Sequence, residues 1–211
     1  MGRAYSLVDI DFGNLSKDEK RESFVMMDVA LKQIHSKNFK VDSFNASDIY
    51  YEDGYYFYSK VSPINYSIED KNNVVLDNIE GLSNLAFCSF LPSYDLKNGL
   101  LNSKVVSDQF NKFESIFDSS DKEYYKSVLV DSYNANTLPD PIYYSDYIMN
   151  KEKNNGGNGN KHSNAYVKAT QAGKLYADSL NENAFGKTFF FACMVTTMMI
   201  AFIGLAFLFL K

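Results

Sequence analysis

Asp9 and Asp11 stand one residue apart in "LVDIDFGN". On an extended chain two such residues project from the same face. A pair of carboxylates placed this way is a ligand set for Mg²⁺ in phosphoryl transfer. That chemistry also needs glycines and a threonine after the second Asp to cradle the phosphate, and they are missing. The pair therefore reads as the wet face of a short strand, followed by a turn. A membrane-tethered, metal-dependent phosphoryl-transfer enzyme is the least favoured of the activities considered.

Other reactive groups are scarcer. His35 and His162 are the only histidines, the first on an expected helix and the second in an Asn/Gly-rich run. Neither supplies a base for a Ser or Cys nucleophile, and no metal-ligand spacing can be drawn. The two cysteines, Cys88 and Cys193, form no disulfide framework. Cys88 lies in "LAFCSF", and its apolar flanks predict a buried, inert thiol. Carboxylates are plentiful, but no pair sits in an apolar setting that would split two pKa values into acid and base roles. The reading is of a non-enzyme, with no catalytic residue, no cofactor and no metal.

Asp11, Gly13 and the apolar run before them resemble the first phosphate loop of the actin-like ATPases. Those folds need a much longer chain, a second phosphate loop and a Gly-rich adenosine motif. None of these is found here, so no nucleotide site follows.

The elements that carry these residues show in the periodicity. "AYSLVDIDF" alternates Leu7, Asp9 and Asp11 against Val8, Ile10 and Phe12, which predicts a strand that breaks at Gly13-Asn14. Ser16 to Glu19 has the form of a capping box, and Phe24, Met27, Leu31 and Ile34 then recur at helical spacing. That helix should stop near Lys37-Asn38. Asp53-Gly54 sits between aromatic arms and predicts a type I′ hairpin, with Tyr50 facing Phe57, Tyr51 facing Tyr56 and Glu52 facing Tyr55. Further strands are expected around 64–68 and 74–79. Val106, Phe110, Phe113 and Phe117 predict a late helix, and Ser120 to Glu123 offers a second capping box for another. "IYYSDYIM" is a short aromatic segment suited to docking on the domain or on a partner.

Both faces of the hairpin are aromatic, so something outside the hairpin must cover at least one of them. Tyr50, Tyr51, Tyr55, Tyr56, Phe57 and Tyr58 are accordingly the candidate partner-binding residues, since Tyr supplies contact area at low entropic cost. The competing reading is an ordinary aromatic sheet core.

Composition sets the wider frame. The chain has 211 residues, 17 Phe, 16 Tyr, no Trp and a formal charge of −5. That aromatic content suits a packed core, and the acidic balance gives no footing for nucleic acid. Residues 188–210 are 23 positions without one charge, and 12 of them are Phe, Leu, Ile or Val. As a helix they would run about 34 Å, enough to cross a bilayer core with some tilt. No secretory signal is visible near the start, which weighs against a removable lipid-anchor tail, and the Gly2 myristoylation pattern is read as a chance match.

The expected organisation is a soluble α+β domain over 1–149, a flexible tether and juxtamembrane segment over 150–187, and a transmembrane helix over 188–210. Lys168, Lys174 and Lys187 flank the span on its N-terminal side and only Lys211 follows. This bias places the domain on the cytosolic or organelle-matrix side of a mitochondrial or endoplasmic reticulum membrane, in the tail-anchored manner. The sequons at Asn14, Asn45 and Asn65 are then irrelevant. The leading expectation is an accessory or structural subunit of a larger membrane complex, of the respiratory kind, bound to the lipid bilayer and to other subunits. The alternative is a tail-anchored trafficking protein of the SNARE type, whose first domain would resemble a longin fold by strand and helix order.

Overall fold

Ser16 opens the first helix, α1 (Lys17–Ser36), by a reciprocal cap. Its hydroxyl accepts the Glu19 N–H, and the Glu19 carboxylate accepts the Ser16 N–H at 2.8 Å. Phe24, Met27, Leu31 and Ile34 are buried along one face, as their spacing predicts. The helix ends where Asn38 turns into the left-handed region at φ 63°. The computed structural model describes residues 4–10, 12–66, 70–134 and 142–154.

Two small antiparallel sheets pack against α1. In the first, β1 (Tyr5–Ser6), β3 (Ile49–Glu52) and β4 (Tyr55–Tyr58) run in the order β1-β3-β4. In the second, β2 (Phe39–Val41) pairs with β5 (Val61–Pro63). The expected first strand is shorter than its alternation suggests. It lasts for Tyr5 and Ser6, and the chain turns from Leu7 to Ile10. Leu7 and Phe12 are both buried, each 1% exposed, so a turn that tucks two apolar side chains inward replaces the strand with one wet face.

A second correction concerns 74–79, which is helix and not strand. It lies within α2 (Lys71–Phe90), whose N-cap Asp70 accepts the Asn73 N–H at 3.1 Å. Val75, Ile79, Leu82 and Ala86 are buried at helical spacing. Of the expected strand at 64–68, residues 64–66 are not strand, because pairing with β2 places β5 just upstream, and 67–68 lie outside the described residues. Gly81 of α2 faces Phe44, in the loop after β2. A Cβ there would lie 2.5 Å from the Phe44 ring, so only glycine fits.

α3 (Ser103–Phe113) follows, with Val106 and Phe110 buried. Phe117 lies beyond the helix and still joins its stack, 5.8 Å from Phe110 and 4.4 Å from Tyr125 between ring centroids. The next helix begins one residue before the expected capping box. α4 (Ser119–Lys126) has Asp118 as its N-cap residue and passes through a π-helical turn (Ser127–Asp131) into α5 (Ser132–Asn134). The aromatic segment is a helix, α6 (Tyr144–Asn154), packed on α1. It runs across position 150, into the stretch read as tether.

The described residues are thus of the mixed α+β class, with α1 at the centre between the sheets, α2 and α6. Among the described residues no helix is long and apolar enough to cross a membrane. The rest of the expected tether and the whole of 188–210 lie outside the described residues.

Candidate functional site

The hairpin forms in the register that Asp53-Gly54 implies. Both turn residues have positive φ, 50° and 90°, and Ile49 faces Tyr58, Tyr50 faces Phe57, Tyr51 faces Tyr56 and Glu52 faces Tyr55. Alternation then sorts the six candidate residues onto two faces. Tyr51, Tyr56 and Tyr58 belong to the face that meets α1. Tyr56 and Tyr58 are buried, and their hydroxyls donate to Ser23 Oγ at 2.9 Å and to the Met27 carbonyl at 3.0 Å. Burial pushes the Tyr56 phenol up to about 12. Tyr51 is half-buried and lies 5.0 Å from the Tyr56 ring.

The opposite face carries Tyr50, Tyr55 and Phe57. Tyr50 and Phe57 stack at 5.7 Å with their planes 15° apart, and Tyr55 is 39% exposed beside the turn. A flat aromatic pair with a hydroxyl at its rim offers contact area and a hydrogen bond to a partner.

Asp9 is exposed in the turn after β1, where its carboxylate accepts both the Ser6 hydroxyl at 2.6 Å and the Ser6 N–H at 3.3 Å. Its role there is to close the turn. Asp11 lies outside the described residues. Among the described residues no cluster of three His, Cys, Asp or Glu side chains could hold a metal ion. Cys88 is fully buried, and burial raises its thiol pKa above the usual range.

A polar layer between α1 and α6 is the feature that sequence reasoning missed. Asp28, in the middle of α1, is buried against the start of α6. Its carboxylate accepts the Ser145 N–H at 2.9 Å and the Ser145 hydroxyl at 2.6 Å, so it caps a helix 117 residues away in the chain. Burial outweighs those bonds and raises its pKa to about 6. On one side of it Arg21 pairs with Asp121 at 3.0 Å, and its Nε donates to the Tyr144 hydroxyl at 3.3 Å. On the other, Lys32 meets Asp146 at 2.6 Å.

His35 extends the layer. Asn78 Nδ2 donates to the Val41 carbonyl while the Val41 N–H donates to Asn78 Oδ1, which fixes the orientation of the amide. Asn78 Oδ1 is therefore the acceptor for His35 Nε2–H at 2.9 Å, and Nδ1 accepts the Tyr143 hydroxyl at 2.8 Å. This neutral, doubly bonded ring is buried, and desolvation lowers its pKa to about 4. Only the residue types were legible in advance, since the partners are far apart in the chain. No family model, curated protein or solved structure matches this chain.

Proposed function

We propose that this chain is a non-catalytic, single-span membrane subunit whose α+β domain supplies contacts to a larger membrane assembly. The observation that carries the reading is the uncharged run of 188–210, because burying so many apolar side chains with no polar stripe for water favours lipid over a globular surface. Lys168, Lys174 and Lys187 on its N-terminal flank support a cytosolic or matrix-side domain. The outer hairpin face of Tyr50, Tyr55 and Phe57 supports the contact role, since Tyr56 and Tyr58 are committed to the core and these three are not among the most buried aromatics.

Carbonate extraction at high pH tests the anchor. The intact polypeptide is expected in the membrane pellet, and release into the supernatant would overturn the reading. Native purification from mild detergent tests the contact role. Wild-type chain is expected to co-migrate with other membrane proteins, and the double substitution Tyr50→Ala, Phe57→Ala is expected to weaken that association while the domain stays folded.

A further inference from the structure

Four helices meet around one small recess inside the domain. Asp28 of α1, Ser83 of α2, Tyr124 and Tyr125 of α4 and Tyr144 of α6 bring polar groups to its lining, and its volume is about 10 Å³. All five residues are buried. One water needs roughly 10–15 Å³ and two to four polar partners, whereas an apolar void stays dry. The recess has the size and the polar lining that a single water requires.

Most of that lining is already bonded. The Tyr124 hydroxyl donates to the Ile142 carbonyl at 3.2 Å and is bonded to Ser83, and the Tyr144 hydroxyl accepts from Arg21 Nε at 3.3 Å. Tyr125 differs. It is 2% exposed, its ring is stacked 4.4 Å from Phe117, and among the described residues its hydroxyl has no hydrogen-bond partner. Every fully sealed side-chain N or O atom among the described residues does have one, so this hydroxyl must open onto water-sized space, which the recess supplies. Burial holds the phenol protonated, well above its ordinary range, so it is a donor in need of an acceptor.

Asp28 is the complementary group. Among the described residues no cation pairs with it, since Arg21 is bonded to Asp121 and Lys32 to Asp146. A carboxylate accepts at about four sites. Ser145 fills two of them through its N–H and hydroxyl, and the Tyr144 N–H adds a third, so capacity remains. We infer that the recess binds one water molecule, which accepts a hydrogen bond from the Tyr125 hydroxyl and donates one to the Asp28 carboxylate. That water joins α4 to α1 where the two side chains make no direct bond, with α2 and α6 closing round it. The site lies wholly within the domain and is independent of the membrane reading.

Water-oxygen magnetic relaxation dispersion of the full chain in detergent counts the waters held for longer than the tumbling time. The wild-type count is expected to fall by one in Tyr125→Phe, which keeps the ring stack and deletes the donor, and to stay unchanged in Tyr50→Phe on the outer hairpin face. Ser83→Ala widens the recess from another wall and should shorten the residence of that water at least threefold. An undiminished count in a Tyr125→Phe chain that is folded by circular dichroism overturns the inference. If that variant fails to fold, an unchanged residence time in Ser83→Ala does the same. Displacement of the long-lived water by added sodium chloride would identify a cation site and also overturn it.

Discussion

Asp28 and His35 make opposite demands on the proton, and replacing either one alone should expose the other. Asp28 titrates at about 6 in the folded chain against 3.8 when exposed. The folded state therefore holds that proton more tightly, and the stabilisation it gives is full below pH 3.8 and lost as pH rises through 6. Across that gap the loss is about 3 kcal/mol. His35 titrates at about 4 against 6.5. Its sign is reversed, with stability present above pH 6.5 and lost as pH falls through 4, again by about 3 kcal/mol. Between pH 4 and 6.5 the two slopes oppose, so together they leave stability almost level, within about 1 kcal/mol.

Asp28→Asn keeps an oxygen that can accept from Ser145 and removes the titration. The free energy of unfolding of that variant should then fall by about 3 kcal/mol relative to wild type between pH 6.5 and 4. His35→Gln removes the other arm and should rise by a comparable amount over the same window. Urea unfolding of the full chain in detergent, run as variant and wild type side by side at each pH, isolates the difference from all unchanged groups. Differences that stay constant with pH would refute the assignment of these two residues as the opposed pair.

Three further outcomes test the packing. Gly81→Ala forces a Cβ into the Phe44 ring at 2.5 Å and should cost about 1–3 kcal/mol in urea unfolding, with Phe44→Leu in the same chain restoring part of it. Ser16→Ala removes the reciprocal cap of α1 and should cost about 1 kcal/mol, read as faster amide exchange over the first turn. Tyr58→Phe deletes the hydroxyl bonded to the Met27 carbonyl and should cost about 1 kcal/mol, whereas Tyr50→Phe on the outer face should leave the unfolding midpoint unchanged.

What could be read in advance was what local chemistry decides. Ser16 with Glu19, and Asp53 with Gly54, each fix a structure within four residues, and both formed as expected. α2 was misread in part because Val74 and Val75 favour strand locally, while the period that decides the matter runs on to Ala86. The first strand was overestimated because alternation cannot foresee that Leu7 and Phe12 turn inward together. The Asp28–Ser145 and His35–Tyr143 contacts span more than a hundred residues, and no local signal points to them.

The fastening of α6 sets the order in which the domain yields to a load applied to the chain after Asn154. A pull on the chain after Asn154 meets the exposed Lys151–Glu123 pair first, then the packing of Ile148, then Lys32–Asp146, and only last the sheltered Asp28–Ser145 bonds at the far end of the helix. These attachments break one after another and not all at once, so α6 peels from α1 while the two sheets and the aromatic stack remain assembled.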